Sequence, residues 1–299
     1  MRYTARCPLR IDLAGYWTAL PGFAQREGGA MLSIAIRPYA LGQIARPTTH
    51  RGLLHALRGN RHYVSYTLDV PPGAGLAASA AQTVLWVTLV KTVVANVSDR
   101  VEVAGIAHRL EELLESSAHR ADPYACALGG VSFVRLGADV HAETLPLPPS
   151  FLEDLESRLL LVYTGPAEQD RVLSAHLDER VRAGDTEVVH ELSRMREQAF
   201  EMQKAVLARD VDAVIAAVGD QWTAQKHLAG DIAATGVDTI LEFARRRGAA
   251  AGKVCGGGGT LLLAVAPDRR DSLRAALSTR NLQIIDFSFD SYGVHLSRG

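Results

Sequence analysis

The chain has 299 residues, which is room for one large domain or for two medium ones that each bury a core. Its 32 lysines and arginines nearly balance 33 aspartates and glutamates, so the chain has no overall positive charge to attract nucleic acid or an anionic membrane. The 47% of hydrophobic and 22% of charged residues are typical of globular proteins. We therefore expect two domains with a cleft between them, and neither nucleic acid nor membrane as a partner.

The cysteines and the apolar stretches point to a reducing compartment. Three cysteines without paired spacing argue against a disulfide framework or a zinc knuckle. Arg6 and Arg10 interrupt the N-terminal apolar residues, unlike the continuous core of a signal peptide. The longest apolar stretch, residues 77–90, contains polar side chains and is too short for a membrane span. These features predict a cytoplasmic protein.

The first half of the chain combines strand and helix patterns. Partial alternation and β-branched residues predict strands at 31–44 and 62–70. A glycine-containing loop then opens a helix, and Ser98 or Asp99 is placed to cap a second helix with an apolar face. A turn at Gly129 and Gly130 precedes another strand. The proline-bearing stretch 143–151 is the best linker candidate.

The second half begins with a buried-type strand and continues with long amphipathic helices between 178 and 247, broken near Gly230. Strands return from Lys253 onwards, with one intervening helix. We place the domain boundary after the linker, which gives domains of residues 1–156 and 157–299.

Glycine is the unusual component, since 26 residues are present and many of them cluster. The loop at 71–81 opens a helix, where unpaired backbone N–H groups favour an anion and glycines let a phosphate approach closely. Ser79 in this loop can cap the helix or reach a metal ion. The alternatives are an ordinary capping loop or a dinucleotide-binding turn, but a second helix follows where the latter requires a strand. The P-loop pattern is absent from the sequence.

Four other features are candidate parts of a site. Four consecutive glycines at 256–259 cost backbone entropy, which favours close approach to a ligand or to the facing domain over a simple connector. Arg10 is either a fixed cation for a phosphate or carboxylate, or a surface residue of an edge strand. Glu111 and Asp122 are either carboxylates of the site or, respectively, a residue of a solvated helix face and a turn residue before proline.

In their order along the chain, these motifs resemble those of the GHMP kinase superfamily, which includes galactokinase, homoserine kinase, mevalonate kinase and phosphomevalonate kinase. The three family motifs are matched by PLRIDLAGYWT, GAGLAASAA and KVCGGGG. The likeness is strongest to the fucose and heptose-phosphate kinase branch, through RIDLAGYWTA, LEELLESSAHRADPYACALGG, LLVYTG and DQWTAQKHLAGDI. The resemblance implies an α+β fold of two domains. The first is like domain 2 of ribosomal protein S5, the second is a ferredoxin-like α/β sandwich, and the active site lies in the cleft between them.

The resemblance also implies roles for individual residues. Asp122 corresponds to the base or orienting group for the acceptor hydroxyl, and Arg10 to the basic residue that steadies Asp122 and the transferred phosphoryl group. Ser79 and Glu111 correspond to the residues that hold Mg²⁺ on ATP. The implied ATP-binding residues are Pro72, Gly73, Ala74, Gly75, Leu76, Ala77, Ala78, Ser79, Ala80, Gly256, Gly257 and Gly258. The implied substrate-binding residues are Tyr16, Trp17, Thr18, Ala19, Gly129 and Gly130.

Several departures from the family pattern concern the phosphates and the acceptor. Ala77 and Ala78 replace a glycine and a hydroxyl residue in the second motif, and the third motif is about two residues short. Tyr16 and Ala19 replace a glycine and an acid in the loop that faces the sugar in sugar kinases. The resemblance predicts an ATP- and Mg²⁺-dependent kinase of a sugar or sugar phosphate, acting as a monomer or homodimer. The alternatives are a kinase of a non-sugar acceptor, or a degenerate relative that binds a nucleotide or metabolite without phosphoryl transfer.

Overall fold

A computed structural model describes residues 2–45, 64–95, 99–114, 119–166, 170–229 and 235–298. The described strands are β1 (Arg2–Ala14), β2 (Gly29–Ala45), β3 (Val64–Leu68), β4 (Val131–Leu136), β5 (Val140–Thr144), β6 (Leu159–Tyr163), β7 (Ala249–Cys255), β8 (Thr260–Val265), β9 (Gln283–Ile285), β10 (Ser288–Phe289) and β11 (His295–Arg298). The described α-helices are α1 (Pro21–Glu27), α2 (Ala78–Ala95), α3 (Arg100–Leu114), α4 (Asp122–Leu128), α5 (Pro149–Ser157), α6 (Asp170–Arg182), α7 (Thr186–Leu207), α8 (Val211–Ala229), α9 (Thr235–Arg245) and α10 (Pro267–Ser278). A 3₁₀ helix covers Tyr16–Ala19.

The strands form two antiparallel sheets. The first sheet has the order β11-β1-β2-β4-β5, and β3 and β10 also pair with β2. The second sheet has the order β7-β8-β6-β9. Its strands and helices follow one another as β-α-β-β-α-β, with extra helices in the first crossover, which is the ferredoxin-like arrangement. The expected α+β fold with two sheet-containing parts is therefore confirmed.

The C-terminal strands return to the first sheet. The predicted boundary between 156 and 157 falls at the end of α5, which leads directly into the second sheet. However, β10 and β11 pair with β2 and β1, so residues after 157 contribute to both sheets. The division into 1–156 and 157–299 remains a prediction, and the strand pairing adds that the final segment lies with the first part.

Strand β1, which lies between β11 and β2, carries two buried charged residues. Its odd-numbered face is apolar and buried from Tyr3 to Leu13. On its even-numbered face Thr4 and Arg6 are exposed, whereas further along Arg10 and Asp12 are buried. Because side chains alternate along a strand, the same face passes from solvent at one end to an enclosed polar site at the other.

The helices cover both sheets and share the cores between them. α2 and α4 pack against β1 and β2 of the first sheet, while α7 and α8 form a pair that contacts β1, β2 and β7. One large apolar core extends through both parts of the protein, and a smaller one covers the other face of the second sheet. In the described residues, no helix is long and apolar enough to cross a membrane.

One of the two predicted caps of the second helix is confirmed. Asp99 caps α3 as expected, because its Oδ1 accepts hydrogen bonds from the N–H groups of Val101 at 2.8 Å and Glu102 at 3.1 Å. The alternative cap, Ser98, lies outside the described residues. The break predicted near Gly230 also falls outside them, between the end of α8 and the start of α9.

Candidate functional site

A cavity of about 550 Å³ opens where the loop before α2 meets the ends of α3, α4 and α6. Its volume suits a small molecule or a nucleotide. The residues that line it are Arg10, Tyr16, Gly73, Ala74, Gly75, Ala77, Ala78, Ser79, Ala80, Thr83, Glu111, Leu114, His119, Asp122, Asp170 and Ser174. The structure thus brings the two predicted catalytic residues, the predicted metal ligands and most of the predicted phosphate loop to one cavity.

The floor of the cavity is the ion pair of Arg10 and Asp122. The Arg10 Nε donates to Asp122 Oδ1 at 2.9 Å, and Nη2 donates to Oδ2 at 2.8 Å. This two-point geometry fixes both the position and the orientation of the carboxylate. Asp122 is the first residue of α4 and its side chain retains 11% exposure, whereas the Arg10 side chain retains 1%. The carboxylate is therefore held rigidly and still faces the cavity.

The guanidinium of Arg10 is also bound on its other side. Nη1 donates to the carbonyl oxygen of Gly75 at 3.0 Å and lies 3.3 Å from Asp12 Oδ1. Burial by itself lowers the pKa of Arg10, but the Asp122 and Asp12 carboxylates outweigh it and raise that pKa well above its ordinary value. Arg10 is consequently a permanent cation that links the loop before α2 to Asp122.

The loop before α2 has the conformation of a glycine-rich turn. Gly73 and Gly75 have positive φ values of 67° and 70°. Ala77 also has a positive φ, 59°, at the position where the family motif has glycine. Ala77 thus keeps a left-handed backbone although its Cβ disfavours this conformation by roughly 1–2 kcal/mol.

The two glycine-rich loops pack against each other. A Cβ on Gly75 would lie 1.9 Å from the carbonyl oxygen of Gly258, and one on Gly259 would lie 2.0 Å from that of Gly73. A Cβ on Gly257 would lie 1.4 Å from Asp170 Oδ1. Glycine is needed at these positions because two backbones and one carboxylate meet without room for a side chain. The loop 256–259 therefore packs against the loop before α2, and the residues Gly256, Gly257 and Gly258, predicted to bind ATP, are not among the residues that line the cavity.

The rim of the cavity consists of Ser79, Thr83 and Glu111. The hydroxyl of Ser79 donates to Glu111 Oε1 at 3.3 Å, and the Thr83 hydroxyl oxygen lies 3.3 Å from the same Oε1 and 3.1 Å from the carbonyl oxygen of Ser79. Ser79 is exposed and the other two are half-buried. Three oxygen-bearing side chains from the first turns of α2 and the last turn of α3 thus converge at the mouth. Among the described residues, no group of three or more His, Cys, Asp or Glu side chains is placed to hold a metal ion.

Another wall of the cavity is formed by Tyr16, His119, Asp170 and Ser174. The rings of Tyr16 and His119 stack at 3.8 Å, and the Tyr16 hydroxyl donates to Asp170 Oδ2 at 3.1 Å. His119 Nδ1 lies 3.2 Å from the Tyr16 carbonyl oxygen, and its Nε2 lies 3.2 Å from Ser174 Oγ. Burial, and next to it the negative charge of Asp170, raise the pKa of Tyr16 well above its ordinary value. Tyr16 therefore remains a neutral hydrogen-bond donor.

The other predicted substrate-binding residues have structural positions. Trp17, Thr18 and Ala19 are buried. The Thr18 hydroxyl oxygen lies 2.7 Å from the carbonyl oxygen of Gly15 and 2.8 Å from that of Ala30. Gly130 N–H donates to the carbonyl oxygen of Asp290 at 2.7 Å, and a Cβ on Gly129 would lie 2.1 Å from a backbone nitrogen of the C-terminal segment. None of these five residues lines the cavity, so the substrate role predicted for them has no support in their positions.

Two charged residues of the interior were missed by sequence reasoning. Asp12 and Lys253 are both fully buried, and Lys253 Nζ donates to Asp12 Oδ2 at 2.5 Å and to the Asp12 carbonyl oxygen at 2.9 Å. Asp12 Oδ1 also accepts from the N–H of Gly256 at 2.6 Å. The sequence contained one signal for this pair. Asp12 and Lys253 each stand in an apolar stretch of a recognised motif, and a charge that is buried in such a stretch needs an oppositely charged partner.

Comparisons with known proteins agree with this geometry. The family model described as "GHMP kinases N terminal domain" matches residues 48–130, and that described as "GHMP kinases C terminal" matches residues 202–282, together more than half of the chain. The mevalonate kinase of Thermococcus gammatolerans is 27% identical over 223 residues, which are 72% of this chain and 63% of that protein. The chain thus spans less than two thirds of the length of this relative.

Solved structures share the fold at lower identity. A D-glycero-D-manno-heptose 1-phosphate kinase from Bacteroides thetaiotaomicron superposes with a TM-score of 0.72 at 21% identity, over 99% of both chains. The mevalonate kinase of Methanococcus jannaschii superposes with a TM-score of 0.70 at 14% identity, over 96% of this chain and 98% of that one. With both family models matched in order and the fold shared along the whole length, the chain belongs to the GHMP kinase family.

Proposed function

We propose that this protein is an ATP-dependent kinase that transfers the γ-phosphoryl group of Mg-ATP to a hydroxyl of a sugar or sugar phosphate. The observation that carries the proposal is the buried Arg10–Asp122 pair beside a glycine-rich loop in one cavity. Phosphoryl transfer needs positioning and neutralisation of charge more than covalent chemistry. The cavity supplies a fixed carboxylate, a fixed cation and a backbone turn suited to phosphates.

In this proposal Asp122 orients the acceptor. Its carboxylate accepts a hydrogen bond from the acceptor hydroxyl and takes the proton as that oxygen bonds to the γ-phosphorus. The bond from the γ-phosphorus to the bridging oxygen of ADP breaks in the same displacement, so that the products are ADP and a phosphate ester. Arg10 keeps the carboxylate in its orientation, since both carboxylate oxygens accept from the same guanidinium. The backbone N–H groups of the loop before α2 bind the phosphates.

The rim residues suit a magnesium ion. Mg²⁺ prefers oxygen ligands and usually keeps several waters, together with one or two carboxylates and the substrate phosphates. Ser79, Thr83 and Glu111 offer two hydroxyls and one carboxylate at a mouth that water reaches. When bound, the ion neutralises phosphate charge. Thr83 joins the predicted ligands Ser79 and Glu111 in this role.

The wall formed by Tyr16, His119, Asp170 and Ser174 supports an acceptor with several hydroxyl groups. Tyr16, His119, Asp170 and Ser174 present donors and acceptors within one hydrogen-bonded group, and a stacked ring pair gives an apolar face. A sugar combines these features, with hydroxyls at its edge and C–H groups on its face. The structural likeness to a heptose 1-phosphate kinase is in keeping with this class.

Mevalonate is the second candidate acceptor, because curated relatives at 27% identity are mevalonate kinases. Mevalonate carries a carboxylate, which needs a cationic partner in the cavity. Of the cavity-lining residues, Arg10 is the permanent cation, and it is already bound to Asp122 and close to Asp12. This arrangement favours an uncharged sugar over mevalonate and, by the same reasoning, over a sugar phosphate.

Turnover of an acceptor panel tests the proposal. Purified protein is incubated with Mg-ATP and, separately, with hexoses, heptoses, their phosphates and mevalonate, and release of ADP is measured. We expect acceptor-dependent ADP release with at least one sugar or sugar phosphate, and the phosphorylated product is identified by mass spectrometry. Activity with mevalonate alone would assign the second candidate instead.

Binding without turnover would indicate the third possibility, a relative that holds a nucleotide without phosphoryl transfer. Calorimetric titration with Mg-ATP in the absence of acceptor distinguishes this outcome from a protein that lacks a nucleotide site. The loop argues against loss of the site, because Ala77 keeps the left-handed backbone of the glycine it replaces.

A further inference from the structure

A second buried ion pair lies directly behind the floor of the cavity. Asp12 and Lys253 are both fully buried, although they come from different sheets, Asp12 from β1 and Lys253 from β7. Lys253 stands three positions before Gly256, the first residue of the loop 256–259, and the N–H of Gly256 donates to the Asp12 carboxylate. Asp12 is therefore the point at which the third family motif contacts the first.

Four buried charged residues follow one another in a row of alternating sign: Lys253, Asp12, Arg10 and Asp122. Lys253 contacts Asp12 at 2.5 Å, Asp12 lies 3.3 Å from Arg10, and Arg10 contacts Asp122 at 2.8 Å. Two cations and two anions alternate, so the group as a whole is neutral. Each end of the row has shorter contacts than its middle link, so Arg10 is bound more closely by Asp122 than by Asp12.

Removing the lysine charge would alter that preference. A buried carboxylate without its cation is strongly unfavourable, and the nearest remaining cation for Asp12 is Arg10 at 3.3 Å. Two carboxylates would then share one guanidinium. Movement of that guanidinium toward Asp12 would loosen the two-point contact with Asp122, which faces the cavity.

We propose that Lys253 and Asp12 are positioning residues that keep Arg10 on Asp122, and so couple the second sheet to the reacting end of the cavity. Neither residue lines the cavity. Their effect on turnover rests on the proposed kinase function, whereas their effect on the Arg10–Asp122 contact does not. The two claims can therefore be tested separately.

The contact itself is tested by NMR. The buried Nε–H of Arg10 donates to Asp122, so it gives a distinct ¹H–¹⁵N signal that the Arg10→Lys variant removes and thereby assigns. We expect Lys253→Met to shift or broaden this signal. The double variant Asp12→Asn/Lys253→Met, which restores neutrality, should return the signal close to its wild-type position, and Lys253→Arg should leave it in place.

Turnover tests the consequence. A small misplacement of a catalytic group can lower the rate by about 100-fold, so we expect Lys253→Met to lower kcat by about that factor with little change in the KM for ATP. The kcat of the double variant should be at least about tenfold higher than that of Lys253→Met, because the two substitutions are coupled through Arg10. The matched control is Lys226→Met, which removes a lysine from a partly exposed pair with Asp238 and should leave both readouts unchanged.

A purely structural role for the pair predicts a different pattern. Lys253→Met would then lower the melting temperature while the Arg10 signal and kcat stay at wild-type values, and the double variant would be no better than the single one. An unchanged Arg10 signal in Lys253→Met overturns the proposal, and so does a double variant that is no better than the single one. If Lys253→Met does not fold, Lys253→Gln serves as the unbalanced variant, since it also leaves Asp12 without its cation while the amide can still donate to the carboxylate. Absence of turnover in the wild-type protein contradicts the kinase function alone, because the NMR comparison still decides the positioning role.

Discussion

At the floor of the cavity, hydrogen bonds of 2.8 and 2.9 Å join the buried Arg10 to Asp122, whereas at the rim Ser79 and Thr83 meet Glu111 at 3.3 Å in reach of solvent. At the floor, the hydrogen-bonding groups of Arg10 and Asp122 are bound to each other and to neighbouring protein atoms. The rim is loosely bonded, and its oxygens have the character of ligands for a cation. This difference is the basis for the proposal of a preorganised catalytic group at the floor and a metal site at the rim.

The largest effect is expected at the floor. Asp122→Asn removes the proton acceptor while conserving size, so we expect kcat to fall by about 1,000-fold, within the range that general bases contribute. The affinity for Mg-ATP should change little, because the phosphate loop and the rim are intact. Steady-state kinetics and calorimetric titration of Mg-ATP measure the two quantities on the same preparation.

Another two-point pair provides the control for that variant. Asp154 accepts from the Nε and Nη2 groups of Arg158 at 2.8 and 3.1 Å, on the surface and away from the cavity. Asp154→Asn should therefore keep wild-type kcat. Equal rates for Asp122→Asn and the wild-type protein would remove Asp122 from the mechanism and leave the floor with a structural role only.

A smaller effect, of a different kind, is expected at the rim. The double variant Ser79→Ala/Thr83→Ala removes both hydroxyls and should weaken the apparent affinity for Mg²⁺ in the presence of ATP by about 10-fold, as loss of supporting ligands commonly does. High Mg²⁺ should restore most of the rate, since the floor is unchanged. Titration of ADP release against Mg²⁺ concentration measures this recovery.

The matched control for the rim is Thr223→Ala. Like Thr83, Thr223 donates from its hydroxyl to the carbonyl oxygen four residues earlier in a helix, but it lies outside the cavity. This variant should keep the wild-type Mg²⁺ dependence. A rate for the rim double variant that stays low at saturating Mg²⁺ would show that these hydroxyls act in the chemical step, and the distinction between floor and rim would fail.

Sequence predicted the residues that belong to recognisable local patterns. Arg10, Ser79, Glu111 and Asp122 stand in motifs whose order is diagnostic, and the structure brings all four to one cavity. The fold class followed from the same motifs. The strands predicted at 31–44 and 62–70 are close to β2 and β3, because alternating apolar residues mark a strand. The helices predicted from 178 begin earlier, at Asp170, and the predicted linker 143–151 includes the end of β5 and the start of α5.

What the sequence did not predict depends on contacts between distant segments. Asp12 and Lys253 are 241 positions apart, and only the packing of β1 against β7 brings them together. Asp170 and Ser174 enter the cavity from α6, outside the three motifs. Conversely, Thr18 and Ala19 fall within a motif but point into the core, because a motif conserves the shape of a turn as well as its contacts with a ligand.

The smallest effect is expected in the loop that joins floor and rim. Ala77 has a φ of 59°, and α2 begins at the next residue. Ala77→Gly relieves a strain of roughly 1–2 kcal/mol and loses part of this gain to the greater freedom of glycine in the unfolded chain. We expect a net increase of about 0.5–1 kcal/mol in the free energy of unfolding, measured by urea denaturation. Ala78→Gly, one position later in helical conformation, should lower that free energy by a similar amount. If both variants are destabilised alike, Ala77 is not strained. The loop between floor and rim would then not have the left-handed conformation that favours glycine at this position.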